Sequence, residues 1–230
     1  MATALAFPLS DNGHEVRLIG THLDREIIDT IKERRVHPGL DLEVPQAARA
    51  FQLEEAFDGA DVIMSGVNSF GVRWAGKQLS SLLKPGTHDL SIAKGLEARE
   101  NGDLRILPEV LAGEVPEDLR DQASWSAIAG PSIAGEVAVR RDTCVVFAGR
   151  DAGVLEEVAG LFRTPYYHVW TSTDFVGVEV CAAAKNCYAL GAGFMEGILD
   201  REGESEARYR NYDYGAALFG GEPESKAGKG

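Results

Sequence analysis

The sequence is short of cysteine, of basic charge and of long apolar runs, and each shortage removes a class of protein. Its three cysteines, Cys144, Cys181 and Cys187, fall at no regular spacing in 230 residues. They make neither a disulfide framework nor a zinc ligand set, and they fit a reducing compartment. The histidines (His14, His22, His37, His88 and His168) are scattered without metal-ligand spacing. Lys and Arg number 23 against 36 Asp and Glu, a formal net charge of −13. Nucleic acid is therefore not an expected partner, because proteins that hold it carry basic patches that neutralise phosphates. A small anion stays within reach of a few local lysines. No apolar run approaches the roughly 18 residues of a membrane span. The opening MATALAFPLSDNGHEV lacks the basic and apolar regions of a signal peptide. No membrane contact and a cytoplasmic location are the expectations. Neither G-x-S-x-G nor a Walker sequence occurs.

What is present is an alternation of short β-branched runs with amphipathic stretches, in a chain 44% hydrophobic and 26% charged. Strands are predicted at 14–20, 61–67, 88–94, 125–130, 143–149 and 166–170, with helices at 23–34, 70–83 and 151–162. Such alternation defines an α/β fold with a largely parallel, doubly wound sheet. The chain opens on a helix rather than a strand, and Pro8 is expected to kink that helix. After Asp174 the texture changes: DFVGVEVCAAAKNCYALGAGFMEGILD reads as one long helix of small residues. Gly191, Gly193 and Gly197 each cost it about 1 kcal/mol relative to alanine, a cost that suits close approach of a backbone or a ligand. The expected organisation is an α/β domain over 1–172, a second, helical segment over 173–219, and a polar, disordered tail over 220–230.

Three places carry candidate chemistry. Lys94 follows a predicted strand, where open α/β sheets bind ligands, though a solvated lysine at a strand end is the plainer reading. In AIAGPSIAGEVAV (127–139), Gly130 and Pro131 make a turn and Ser132 is placed to cap a helix whose N-terminus suits an anion. An ordinary capped turn explains that stretch equally well. Lys185 and Asn186 sit among Ala182, Ala183, Ala184 and Ala189. Those small neighbours leave room for a ligand, and a partly desolvated lysine is suited to proton transfer. Cys181 and Cys187 are expected to fill small core gaps.

With these residues in view, the chain resembles the NAD(P)-dependent glycerol-3-phosphate dehydrogenases. The resemblance rests on TALA…NGHEVRL, HPGLDLEVP, AKGLE, GPSIAGEVA, DFVGVEVCAAAKNCYALGAGFMEGI and NYDYGAALF, in the family's order, up to about residue 219. It implies a Rossmann domain joined to an all-α domain, NAD or NADP as cofactor, and hydride transfer to C2 of dihydroxyacetone phosphate. It further implies Lys185 as the proton donor and acceptor, and Lys94, Gly130, Ser132 and Asn186 as substrate-binding residues. Lys94, Ala134 and Thr21 become cofactor contacts. A homodimer and a place at the head of glycerophospholipid synthesis are also implied. Two departures are expected to matter. The family's first strand and Gly-rich loop lie upstream of TALA, which would open a gap in the middle of the sheet. Its later substrate-binding helices lie downstream of AALF. Asn68 stands where the family has proline. The alternatives are a non-catalytic remnant of that family, or a related two-domain dehydrogenase acting on a hydroxy acid. Thr21, His22 and Arg25 leave NAD against NADP open.

Overall fold

The structure, a computed structural model, describes residues 1–51 and 53–202. In chain order the elements are α1 (Ala2–Asp11), β1 (Val16–Leu18), α2 (Arg25–Arg34), β2 (Val36–His37), β3 (Leu42–Glu43), β4 (Ala48–Ala50), α3 (Leu53–Phe57), β5 (Val62–Ser65), α4 (Val72–Leu79), β6 (His88–Ser91) and β7 (Leu96–Ala98). There follow β8 (Leu104–Ile106), α5 (Leu107–Ala112), α6 (Glu117–Arg120), β9 (Ser124–Ala129), α7 (Ala134–Ala138), β10 (Thr143–Gly149), α8 (Ala152–Phe162), β11 (Tyr167–Ser172) and α9 (Phe175–Glu202). Two compact units divide the chain, Met1–Ala184 and the part from Lys185 onward.

The first unit holds a five-stranded sheet in the order β11-β10-β9-β6-β5 and a separate two-stranded sheet of β1 and β4. All pairings in these two sheets are parallel except β9 with β10. The α/β class expected from the alternation is thus present, in the Rossmann-like form that the resemblance implies. The parallel strands divide where a gap was expected: β1 pairs with β4, and β5 pairs with β6. Helix α1 packs against both sets. Its Ala4, Leu5 and Phe7 join the core of the larger sheet, while Ala6 joins Val16, Leu18, Ile31, Val44 and Ala48 beneath the smaller one. The helix continues through Pro8 to Asp11, and the Pro8 carbonyl still accepts from the Asn12 amide at 3.1 Å. Pro8 withdraws its own amide donor from the helix.

Helix α8 shows how the apolar spacing sets the packing. Leu155, Val158, Ala159 and Phe162 form one buried stripe at helical spacing. Asp151 caps the helix by accepting from the amides of Gly153 and Val154. Phe162 meets Phe147 of β10 edge-on, with ring centroids 5.2 Å apart. The stretch HPGLDLEVP, for which the sequence offers no role, closes a small antiparallel hairpin of β2 and β3. His37 Nδ1 accepts from the amides of Gly39 and Leu40 at 3.1 Å each and so builds the turn. Asn68 caps the short turn at Ser69–Gly71, its Oδ1 accepting from the Gly71 amide at 3.0 Å. Tail residues 220–230 and residues 203–219 of the expected all-α segment lie outside the described residues.

Candidate functional site

Strands β6 and β9 run parallel, so their carboxyl ends open on the same side of the sheet. Three residues past β6 stands Lys94, and directly after β9 stands Gly130. The ammonium of Lys94 donates to the Gly130 carbonyl at 3.1 Å. The same carbonyl accepts from the Ser132 amide at 3.0 Å. Only glycine fits here. Gly130 has φ +126°, and a Cβ would lie 3.1 Å from both the Cys144 carbonyl oxygen and Val145 Cα. Two substrate-binding residues inferred from the sequence are thereby joined directly, and Ser132 is held within the same turn.

The turn differs from the expectation in one respect. Ser132 does not cap α7: the N-cap is Ile133, without a side-chain hydrogen bond, and the helix is only five residues long. Pro131 and the tight Ser132–Gly130 bond delay helical geometry by one residue. The Ser132 hydroxyl instead faces the Met1 sulfur, 3.9 Å away. Ala134, the first residue of α7, is half-buried against the main core. Thr21 follows β1, and its amide and hydroxyl both donate to Asp24 Oδ2, at 3.0 and 2.6 Å. His22 stacks edge-on to Trp74 with centroids 5.9 Å apart.

Sequence reasoning passed over Glu179. It lies on α9, within the first unit, at 0% exposure, and neither carboxylate oxygen has a hydrogen-bond partner. Burial pushes its carboxyl up to about 7, and the charge of Lys94 partly offsets that rise. Around it, Phe175 and Val178 pack on Ile106, Ala127 and Ala148. The signal was available: a lone acid inside FVGVEVCAAA is as anomalous as a lone lysine after it.

Two more buried titratable groups sit on β6. Asp89 is 1% exposed, and burial pushes it up to about 7 against the opposing hydrogen bond from Ser65. Beside it, burial lowers His88 to about 4. At the amino ends of β6 and β9, His88, Ser124 and Trp125 line a cavity of about 210 Å³, at the other end of these strands from Lys94 and Gly130.

In the second unit, Lys185 and Asn186 are exposed on α9. Lys185 is exposed where partial desolvation was expected. Cys181 and Cys187 are likewise exposed and fill no core gap. Among the described residues no helix is long and apolar enough to cross a membrane.

A mixed sheet with helices packed on it and a cationic corner at the carboxyl ends of its parallel strands defines a Rossmann-like, dinucleotide-binding type of α/β protein. Residues 2–154 match the family described as NAD-dependent glycerol-3-phosphate dehydrogenase N-terminus. The chain belongs to that family. It is 35% identical over 204 residues to an NADP(+)-dependent glycerol-3-phosphate dehydrogenase of Archaeoglobus fulgidus, covering 88% of this chain and 59% of that protein. It is 36% identical over 198 residues to a glycerol-3-phosphate dehydrogenase [NAD(P)+] of Streptococcus agalactiae, covering 85% and 57%. The chain thus spans a little under three fifths of the length of these relatives. Its fold matches a crystal structure of glycerol-3-phosphate dehydrogenase from Coxiella burnetii at TM-score 0.72 and 24% identity, over 96% of this chain and 66% of that one.

Proposed function

We propose that this chain carries NAD(P)-dependent glycerol-3-phosphate dehydrogenase chemistry, reducing dihydroxyacetone phosphate to glycerol 3-phosphate and running the reverse oxidation. The observation that supports it most is the Lys94–Gly130 closure at the ligand end of β6 and β9, inside the family-matched span. The donors gathered there fit a phosphate-bearing ligand: one cation, one serine hydroxyl and a turn whose glycine keeps the backbone close. Lys94, Ala134 and Thr21 would hold the dinucleotide, which supplies the hydride when bound. Lys94, Gly130, Ser132 and Asn186 would orient the substrate. Lys185 would give a proton to the oxygen on C2 in reduction and take it back in oxidation. A homodimer, a cytoplasmic location and a supply of glycerol 3-phosphate to glycerophospholipid synthesis complete this reading.

The test is NAD(P)H oxidation driven by dihydroxyacetone phosphate, with the purified chain beside its Lys185→Ala variant. Turnover in the parent and a loss of about 10²–10⁴-fold in the variant is the expected result. Equal rates in the two would refute the role of Lys185, and no turnover from a cooperatively folded chain would refute the activity.

A further inference from the structure

The cavity at the amino ends of β6 and β9 takes no part in the chemistry described so far, and one side chain in its wall has an unmet polar atom. His88 lines it and is 5% exposed. Its Nδ1 has no hydrogen-bond partner among the described residues. The other ring nitrogen, Nε2, lies 2.7 Å from the Ser126 hydroxyl oxygen. That hydroxyl has a single proton and donates it to the Asp89 carbonyl at 3.3 Å. Nε2 is therefore the protonated nitrogen and donates to Ser126, which leaves Nδ1 as a bare acceptor. Burial keeps the ring neutral down to about 4. An acceptor buried without a donor is costly to retain, and this one belongs to the wall of a space large enough to bring it one.

The cavity measures about 210 Å³. An apolar cavity of about 150 Å³ holds benzene, so a ring with one small substituent fits here. The lining suits a ring: Trp125 and Phe175 are aromatic, and Ala112, Val154 and Leu155 are aliphatic. Its charged groups disfavour an ion. Glu109 and Arg150 pair with each other at 2.7 Å, and Asp151 caps α8 through the Gly153 and Val154 amides. Neither an acid nor an amine would find an unengaged counter-charge. All of these residues belong to the first unit.

We propose that this cavity is a second ligand site, separate from the Lys94–Gly130 corner, which takes a small neutral aromatic molecule whose one hydroxyl or N–H group donates to His88 Nδ1. The apolar ring supplies the contact area and the single donor fixes its orientation. A ring without a donor leaves Nδ1 unmet and binds less well. An anionic ring would shed its water without gaining a cation. The proposal does not depend on the dehydrogenase reading, because the two sites lie at opposite ends of the same strands.

Phenol and benzene are the probes, since they are close in size and differ by one donor. In the full chain, isotope-labelled at the histidine nitrogens, phenol should move the His88 Nδ1 resonance upfield, as a hydrogen-bonded acceptor moves, and benzene should not. Phenol should bind about tenfold more tightly than benzene, the size of one buried hydrogen bond. Each should raise the unfolding temperature in line with its affinity. His88→Leu should remove the difference, so that the two probes bind alike. Ala123→Leu, at a half-buried position of the lining, should fill the cavity and abolish binding of both. Equal binding of phenol and benzene by the parent chain would overturn the proposal, whether or not the variants fold. So would an unmoved Nδ1 resonance at saturation with phenol, or phenol binding undiminished in a folded Ala123→Leu chain. Failure of phenol to bind at all would overturn it too, and would leave the dehydrogenase reading standing.

Discussion

The Ser65 hydroxyl donates to Asp89 Oδ2 at 2.5 Å, from one strand to the next inside the five-stranded sheet. That bond favours the charged carboxylate, yet burial outweighs it and the acid sits near 7. Asp89 and Glu179 therefore both hold protons in the folded chain across a range where an unfolded chain has released them. Stability should fall as pH rises from about 4 to about 7. His88 works in the other direction: neutral when folded down to about 4, it adds stability as pH rises toward 6.5. Two carboxyls against one imidazole leave a net loss. Urea unfolding at about pH 5 and pH 8 should show Asp89→Asn losing less stability than the parent, by up to a few kcal/mol. An unchanged pH slope would count against the buried, protonated Asp89.

Gly130→Ala should destabilise the fold by about 1–3 kcal/mol, since the residue must hold φ +126° with its Cβ against Cys144 and Val145. It should also weaken phosphate-ligand binding, because the carbonyl that receives Lys94 lies on the same residue. Thermal unfolding and sulfate titration of the same preparation check both effects.

Lys94→Ala should raise KM for dihydroxyacetone phosphate more than it lowers kcat, as expected for a group that holds the phosphate equally in ground and transition states. Lys185→Ala should do the reverse. Steady-state kinetics on the two variants distinguishes the roles, and similar losses in kcat for both would contradict this division.

Asp11→Ala should cost about 1 kcal/mol at neutral pH. Both carboxylate oxygens accept from Arg140, at 2.7 Å each, and the Tyr166 hydroxyl adds a third bond at 2.7 Å. Arg140 first, then Tyr166, hold this carboxyl below its ordinary value against the desolvation that raises it. Its contribution should therefore be complete above about pH 4 and fade as pH falls through the lowered pKa. Chemical denaturation at about pH 7 and pH 3 should show the variant's deficit shrinking at the lower pH.

Much of the architecture was legible because burial writes a strong pattern. The strand over 143–149 lies where VVF and its flanks put it, and α8 follows from its apolar stripe and aspartate cap. The hairpins β2–β3 and β7–β8 escaped, since strands of two or three residues held by turn chemistry leave almost no periodicity to read. Ser132 was read as a cap because serine before a helix usually is one, but the bond from its amide back to Gly130 postpones the helix to Ala134. The candidate site was half legible. Lys94 and Gly130 stand at strand ends, where position alone raises the question. The argument that singled out Lys185, a charge among small apolar neighbours, applied with more force six residues earlier: Glu179 is buried and Lys185 is exposed. Composition cannot say which face of a helix is covered.

The end of helix α1 is tied by side-chain bonds to what comes much later in the chain. Asp11 is held from 129 and 155 positions away, and Asn12 donates to the carbonyls of Leu161 and Arg163. During synthesis at about 5–20 residues per second, these partners leave the ribosome tens of seconds to several seconds after the helix does. The helix is thus synthesised well before these partners, and until they follow its Leu5 and Phe7 have no finished core to enter. A chaperone that shelters nascent apolar segments would have a long hold on this helix.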